Sequence, residues 1–352
     1  MPPASAAPTP LARIALVCLA TLAIAACGRQ ESPDAQVLNV YSARHYQSDD
    51  ALYEDFTRET GIEVRRIEGN DDALIERMSQ EGDASPADVL ITVDAGRLWR
   101  AEQAGLFQAV ESPVLVERIP AHLRDPEGHW FGFSTRARIL FYNKDRIDPA
   151  GLDAYEDLAD PKWKGEVCAR SGGNIYNLSL MASMIAHHGV EKAEEWARGV
   201  VANFARDPQG GDTDQIKAVA AGECGIAIAN SYYFARLMNS QDPADQAVVA
   251  GVGWVFPNQD GRGTHVNVSG AGEAKHAPHP AAALAFLEFL SSPETQTRFA
   301  QANNEYPVVE GAALDNPALE TLGDFRRDEL DAALYGEHQA EAQMALDRAG
   351  WK

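Results

Sequence analysis

An α/β chain folded in two lobes is what the sequence predicts, and three observations carry the expectation. Residues 37–104 alternate short apolar strands with amphipathic helices, the order that builds a parallel sheet covered by helices. From Trp130 the pattern changes to consecutive extended runs, which suit a chain crossing between lobes. A length of 352 residues, 45% of them apolar, is enough to bury two cores.

Val37–Tyr41 reads as the first strand, followed by a loop carrying His45 and Tyr46 and a helix from Asp49 to Thr60. Ile62–Glu68 alternates as a second strand, and Asp71–Glu81 reads as a helix behind an Asp N-cap. Ala87–Val93 is a third strand that leads into a helix around Leu98–Ala104. Ligands gather at the carboxyl ends of strands in such sheets, and His45-Tyr46 falls at one. Trp130–Thr135 and Arg138–Asn143 are the crossing runs. A strand at Glu166–Cys168, helices at Tyr176–His188, Glu191–Asn203 and Thr213–Ala221, and a strand at Gly225–Ala229 build the second lobe. Val249–Phe256 and Thr264–Ser269 read as strands returning to the first lobe. Pro280–Leu290 and Pro293–Ala302 are helices with Pro in the first turn. A polar, amphipathic helix from about Glu329 to Arg348 closes the chain. The expected lobes are residues 37–136 with 258–322, and 137–257 with 323–352.

The first residues bear on location. Arg13 precedes an apolar stretch, Ile14–Ala26, too short to span a bilayer, which reads as a signal-peptide core. It ends in Ile24-Ala-Ala-Cys27, which resembles a bacterial lipobox and implies a lipidated Cys27 followed by a tether through residue 36. The other reading is an ordinary signal peptide with a chance cysteine. Lipidation puts the protein in the periplasm or on the cell-surface side, attached to the membrane through the anchor alone. Removing residues 1–26 takes away only Arg13 among the charged residues, so 29 basic (30 less one) face 52 acidic residues, a net charge of −23. That field repels nucleic acid and favours the approach of cations.

With Cys18 and Cys27 assigned to export, Cys168 and Cys224 remain. An even number in an oxidising compartment makes a disulfide the default. It would tie the strand before Tyr176 to the strand before Tyr232. Two separate buried thiols and a soft-metal site are the alternatives, although no histidine spacing completes a zinc motif.

The chemistry concentrates in tyrosines. Tyr232 and Tyr233 stand in Asn230-Ser-Tyr-Tyr-Phe-Ala-Arg236, straight after an apolar strand, and are read here as a loop. Such a pair aims two phenol oxygens at one point, which a hard trivalent cation needs and a hydrophobic core does not. His45-Tyr46 and Tyr176, in Ser171-Gly-Gly-Asn-Ile-Tyr176, are placed to supply the remaining ligands. A lone tyrosine is usually a packing residue with a bonded hydroxyl, the role expected for Tyr41, Tyr53, Tyr142, Tyr155, Tyr306 and Tyr335. His187, His188 and His265 read as surface or structural.

Six segments resemble the ferric-iron-binding subunits of bacterial periplasmic ABC importers: Val40-Tyr-Ser-Ala-Arg-His-Tyr46, Ala87-Asp-Val-Leu, Arg136-Ala-Arg-Ile-Leu-Phe-Tyr-Asn143, Leu158-Ala-Asp-Pro-Lys-Trp-Lys-Gly165, Ile226-Ala-Ile-Ala-Asn-Ser-Tyr-Tyr233 and Glu305-Tyr-Pro-Val308. The resemblance implies a two-lobed periplasmic-binding-protein fold, each lobe a mostly parallel sheet flanked by helices, with the ligand in the cleft between them. It implies Fe(III) as the ligand, held by Tyr46, Tyr176, Tyr232 and Tyr233 with His45 as a fifth group, and an inner-membrane permease as partner of a monomeric protein. Arg136 falls where some relatives hold a synergistic anion. Arg44 and Arg236 are placed to offset the excess negative charge of four phenolates on Fe(III).

Other classes make different demands. A polyamine site in the same fold wants carboxylates and aromatic faces rather than clustered phenols. A secreted enzyme should carry a motif such as GxSxG, HExxH or a P-loop, and none is present. A purely structural lipoprotein would show no stabilisation by any ligand.

Overall fold

The computed structural model describes residues 37–44 and 48–352. The expectations for the signal peptide, Cys27, the tether, His45 and Tyr46 fall outside the described residues.

Strand β1 (Val37–Ser42) leads to α1 (Ser48–Thr60), β2 (Glu63–Glu68), α2 (Asp71–Glu81), β3 (Val89–Thr92) and α3 (Ala95–Gln103). β1 pairs in parallel with β2 and with β3, as helical crossovers require. The cap of α2 is Asn70, not an aspartate: its side chain accepts the Asp72 amide, a role either residue type fills. Helix α3 starts at Ala95 rather than Leu98 because Asp94 caps it, accepting the Gly96 amide.

After α4 (Pro113–Arg118) comes β4 (Phe131–Asn143), one unbroken strand where two runs were expected. Arg136 and Arg138 remain in the strand because each finds buried polar partners, Arg136 on Ser269 and Arg138 on Asp212. Then follow β5 (Val167–Cys168), α5 (Ile175–His188), α6 (Val190–Ala202), α7 (Asp212–Ala220), β6 (Ile226–Asn230) and α8 (Ser231–Asn239). Next are α9 (Pro243–Gly251), β7 (Val252–Val255), β8 (Val266–Glu273), α10 (Pro280–Leu290), α11 (Pro293–Asn303) and β9 (Tyr306–Pro307). The chain ends in α12 (Pro317–Leu322), α13 (Ala333–Glu337) and α14 (Gln339–Ala349).

The strands run β2-β1-β3-β8-β4-β6-β5, with β7 and β9 also on β4. The two lobes share β4: its residues 131–137 pair with β8, and Arg138–Tyr142 pairs with β6. Both ladders are antiparallel, as is β3 on β8, so parallel pairs at the outer strands give way to antiparallel ones at the crossing. The sheet is therefore mixed rather than mostly parallel.

Strand alternation distributes the cores. In β6, Ile226 and Ile228 enter one core with α5, α6 and α14, whereas Ala227 and Ala229 enter another with α7, α8 and α12. The core of the first lobe packs Leu38, Val40, Leu90 and Phe131 against α1, α10 and α11. Ala332 and Tyr335, beside and within α13, also belong to it. The Cys168–Cys224 disulfide forms, with Cα atoms 5.9 Å apart, and joins β5 to the segment entering its parallel neighbour β6.

Three further elements depart from the expected limits. The Val249–Phe256 run is split, because Asp242 caps α9 and carries the helix through Gly251 before β7 begins. Strand β8 continues past Ser269 through Gly270 and Gly272, where any Cβ would strike the backbone carbonyls of Phe131 and His129. The closing helix is two, α13 and α14, breaking at His338 just after Gly336, where the Trp99 ring leaves no room for a side chain.

Candidate metal centre

Tyr176 is the second residue of α5, and Asn174 caps that helix by accepting the Tyr176 amide at 3.1 Å. The turn before it requires Gly172, since a Cβ there would meet the Trp351 carbonyl. Tyr232 and Tyr233 occupy the first turn of α8, which begins directly at the end of β6, so they are helical where a loop was expected. Tyr232 is buried and Tyr233 partly exposed. Their rings lie 4.1 Å apart between centroids, inclined by 31°.

These helix starts bring the phenols together. The Tyr176 and Tyr232 hydroxyls are 3.2 Å apart. Neighbouring ligand oxygens on an ion with bonds of about 2 Å are separated by about 3 Å, so the pair is spaced for a shared small cation. Both tyrosines sit at helix N-termini, where unpaired amides and the helix dipole favour negative charge, here that of an ionised phenol. They open on a cleft of about 500 Å³, lined on the opposite side by Ala43, Asn70, Asp71, Val93 and Arg97. Ala43 follows β1 directly and stands two positions before His45 in sequence.

The three arginines singled out from sequence take different places. Arg136 is buried, donates to Ser269 at 2.9 Å and lies 5.8 Å from the Tyr176 ring centre. Its Nη2 is buried without a hydrogen-bond partner among the described residues. Burial pulls this guanidinium down, but Glu305, Tyr176, Asp94 and Tyr232 outweigh it and hold the group above its ordinary value. Arg236 is exposed at the rim, 5.9 Å from the Tyr232 ring and 5.7 Å from that of Tyr233. Arg44 is buried and pairs with Asp49 and Glu305, each at 3.0 Å.

Sequence reasoning missed a buried network beneath the tyrosines. Arg138 donates to Asp212 and Asn230 at 3.0 Å and to Asn177 at 2.6 Å. Asn177 follows Tyr176 and Asn230 precedes the α8 tyrosines, so one guanidinium pins both helix starts. Arg170 reaches the other Asp212 oxygen at 3.3 Å. The one available signal was the period of two in β4, which puts Arg136 and Arg138 on one face. Asp94 was also missed. It accepts from Ser179 of α5 and Asn267 of β8, and burial raises it to about 6 against the pull of Arg136 and Arg97.

The expected packing tyrosines Tyr41, Tyr53, Tyr155, Tyr306 and Tyr335 are buried and Tyr142 is half-buried, but the Tyr306 hydroxyl lacks the expected hydrogen-bond partner among the described residues. His187 and His188 pair with Asp328 and Glu156, and His265 is enclosed in the interior.

Two lobes meeting at a polar cleft that bears clustered phenol hydroxyls fit a solute-binding protein. The chain belongs to the bacterial extracellular solute-binding proteins, whose family pattern matches residues 84–323. It is 51% identical over 336 residues to iron uptake protein A2 of Synechocystis sp., covering 95% of each chain. It is 29% identical over 319 residues to the Fe(3+)-binding periplasmic protein of Serratia marcescens, covering 90% of this chain and 91% of that one. A Trichodesmium structure in complex with iron and citrate ligands shares 55% identity at a TM-score of 0.87, over 90% of this chain and 100% of that one.

Proposed function

We propose that this protein captures ferric iron outside the cytoplasm, in the periplasm or on the cell-surface side, and delivers it to an inner-membrane ABC permease. Tyr46, Tyr176, Tyr232 and Tyr233 bind Fe(III) as phenolates, and His45 adds a neutral imidazole. The observation that carries this reading is the 3.2 Å approach of the Tyr176 and Tyr232 hydroxyls at two helix starts, with the Tyr233 ring inclined against that of Tyr232. The iron-related names of the relatives point the same way. His45 and Tyr46 follow closely on Ala43, a residue of the cleft wall, within reach for a chain that advances up to about 3.6 Å per residue.

Each phenol loses a proton on binding, and four phenolates leave one negative charge in excess on Fe(III). Arg136 and Arg236 offset that charge, and the unpaired Nη2 of Arg136 suits a small anion beside the iron. Cys27 carries the lipid anchor, and the protein acts as a monomer. The lobes divide as 37–136 with 258–322 and 137–257 with 323–352, except that α12 packs in a second-lobe core and α13 in the first-lobe core. Closure of the lobes on the ion signals the loaded state.

Adding Fe(III) to metal-free protein tests the proposal. A visible phenolate-to-iron band together with a raised melting temperature is expected, since a ligand that binds only the native state stabilises it. Stabilisation by spermidine with no response to iron would favour the organic-cation reading instead.

A further inference from the structure

We infer that Arg170, working with Arg138, is the countercharge that lets Tyr176 bind as a phenolate, and so is a positioning residue of the iron site. The inference rests on the phenolate reading proposed above. Three guanidinium groups surround the Tyr176 ring: Arg170 at 5.2 Å from its centre, Arg136 at 5.8 Å and Arg138 at 5.9 Å. Arg138 and Arg170 share a single carboxylate, Asp212, at 3.0 and 3.3 Å. Two cations on one anion leave a positive charge over, at a largely closed place: the Asp212 side chain is 0% exposed, that of Arg138 2% and that of Arg170 18%.

An excess buried charge is costly until something neutralises it. The Nε atoms of both arginines are buried without hydrogen-bond partners among the described residues. The phenol that all three guanidiniums flank is the group able to supply the missing negative charge. When iron arrives, the Tyr176 hydroxyl gives its proton to solvent and a lone pair to the metal, and the anion so formed matches the waiting cations. Arg138 is also tied to Asn177 and Asn230, so the charge and the two helix starts are held by one group. Among the described residues the Arg170 side chain donates to Asp212 alone, and its carbonyl bonds to Asn177 and Trp351 survive a substitution, which makes it the better residue to change.

The test compares Arg170→Gln, Arg170→Lys and Asp212→Asn with the wild-type protein loaded with Fe(III). The readouts are affinity in competition with citrate, the position of the charge-transfer band and the reduction potential. Arg170→Gln should weaken binding roughly ten- to a hundredfold, the range that follows from losing one charge at this distance in a partly screened interior. Its band should move to longer wavelength, because the phenolate donor level rises, and its potential should fall. Arg170→Lys should restore most of each. Asp212→Asn removes the anion instead, so band and potential should move in the opposite directions.

Wild-type affinity, band and potential in Arg170→Gln would overturn the inference. So would an equal loss of affinity in the Gln and Lys variants with an unmoved band, which is the signature of a merely structural arginine. If circular dichroism shows Arg170→Gln to be unfolded, Asp212→Asn decides: opposite shifts support the inference and unmoved ones overturn it. A wild-type protein with no band at all overturns the tyrosine site itself, whereas a normal wild-type band with an indifferent Arg170 overturns this inference alone.

Discussion

The hydroxyl of Tyr176 lies 3.2 Å from that of Tyr232, although the two residues are 56 positions apart in sequence. They meet because α5 and α8 both begin at the cleft and Arg138 binds the residue flanking each start, Asn177 and Asn230. The chemistry and the fold are therefore coupled at one buried guanidinium, and several consequences can be measured.

Replacing Tyr233 with Phe removes a proposed anionic ligand while leaving the ring to pack against Tyr232. Ferric affinity should fall by more than about 100-fold, beyond what losing an outer partner costs. His45→Gln removes a proposed neutral ligand and should cost less. Affinity titrations of the two variants, with circular dichroism as the folding control, give the order.

Breaking the Arg138 network should unfold the protein more readily. Arg138→Met leaves Asp212 paired with Arg170 but strips the buried Asn177 and Asn230 side-chain oxygens of their donor, so stability should drop by about 2–4 kcal/mol. Urea denaturation of the metal-free variant measures this.

Reducing the Cys168–Cys224 bridge opens a connection between residues 56 positions apart. The chain-entropy estimate for that span is about 4 kcal/mol. Melting curves with and without reductant should show the loss, and unreduced, denatured protein should titrate no thiol from this pair.

Asp94 sets a pH dependence of the metal-free protein. Its folded value is raised to about 6 by burial, whereas an unfolded Asp titrates near its ordinary value of 3.8. Between those values the native state holds a proton that the unfolded state lacks, so stability falls as pH rises through the window. The span corresponds to about 3 kcal/mol at most. Asp94→Asn should flatten that part of the stability–pH profile, as read by denaturation at a series of pH values.

Much of this was legible in the sequence, for physical reasons. Periodicity located β1 through β3 and their helices, and the adjacent phenols of Tyr232 and Tyr233 pointed to the cleft that they line with Tyr176. Export and an even cysteine count pointed to the bridge. The start of α8 at Ser231 was missed although Asn230, a favoured N-cap type, precedes it; its side chain caps nothing and instead accepts from Arg138, and the strand runs straight into the helix. Local pattern could not show the meeting of Arg138, Arg170 and Asp212, which come from β4, the segment after β5, and α7. That contact depends on tertiary pairing, and only the shared face of Arg136 and Arg138 hinted at it.

The central claim is that phenolates hold the iron, and an optical titration of metal-free protein with Fe(III) tests it most directly when run beside a Tyr176→Phe/Tyr232→Phe/Tyr233→Phe variant. The account predicts a visible charge-transfer band that saturates at one iron per chain in the wild type and is lost or greatly weakened in the folded variant. Tight stoichiometric binding without colour, or equal colour in the variant, would contradict it.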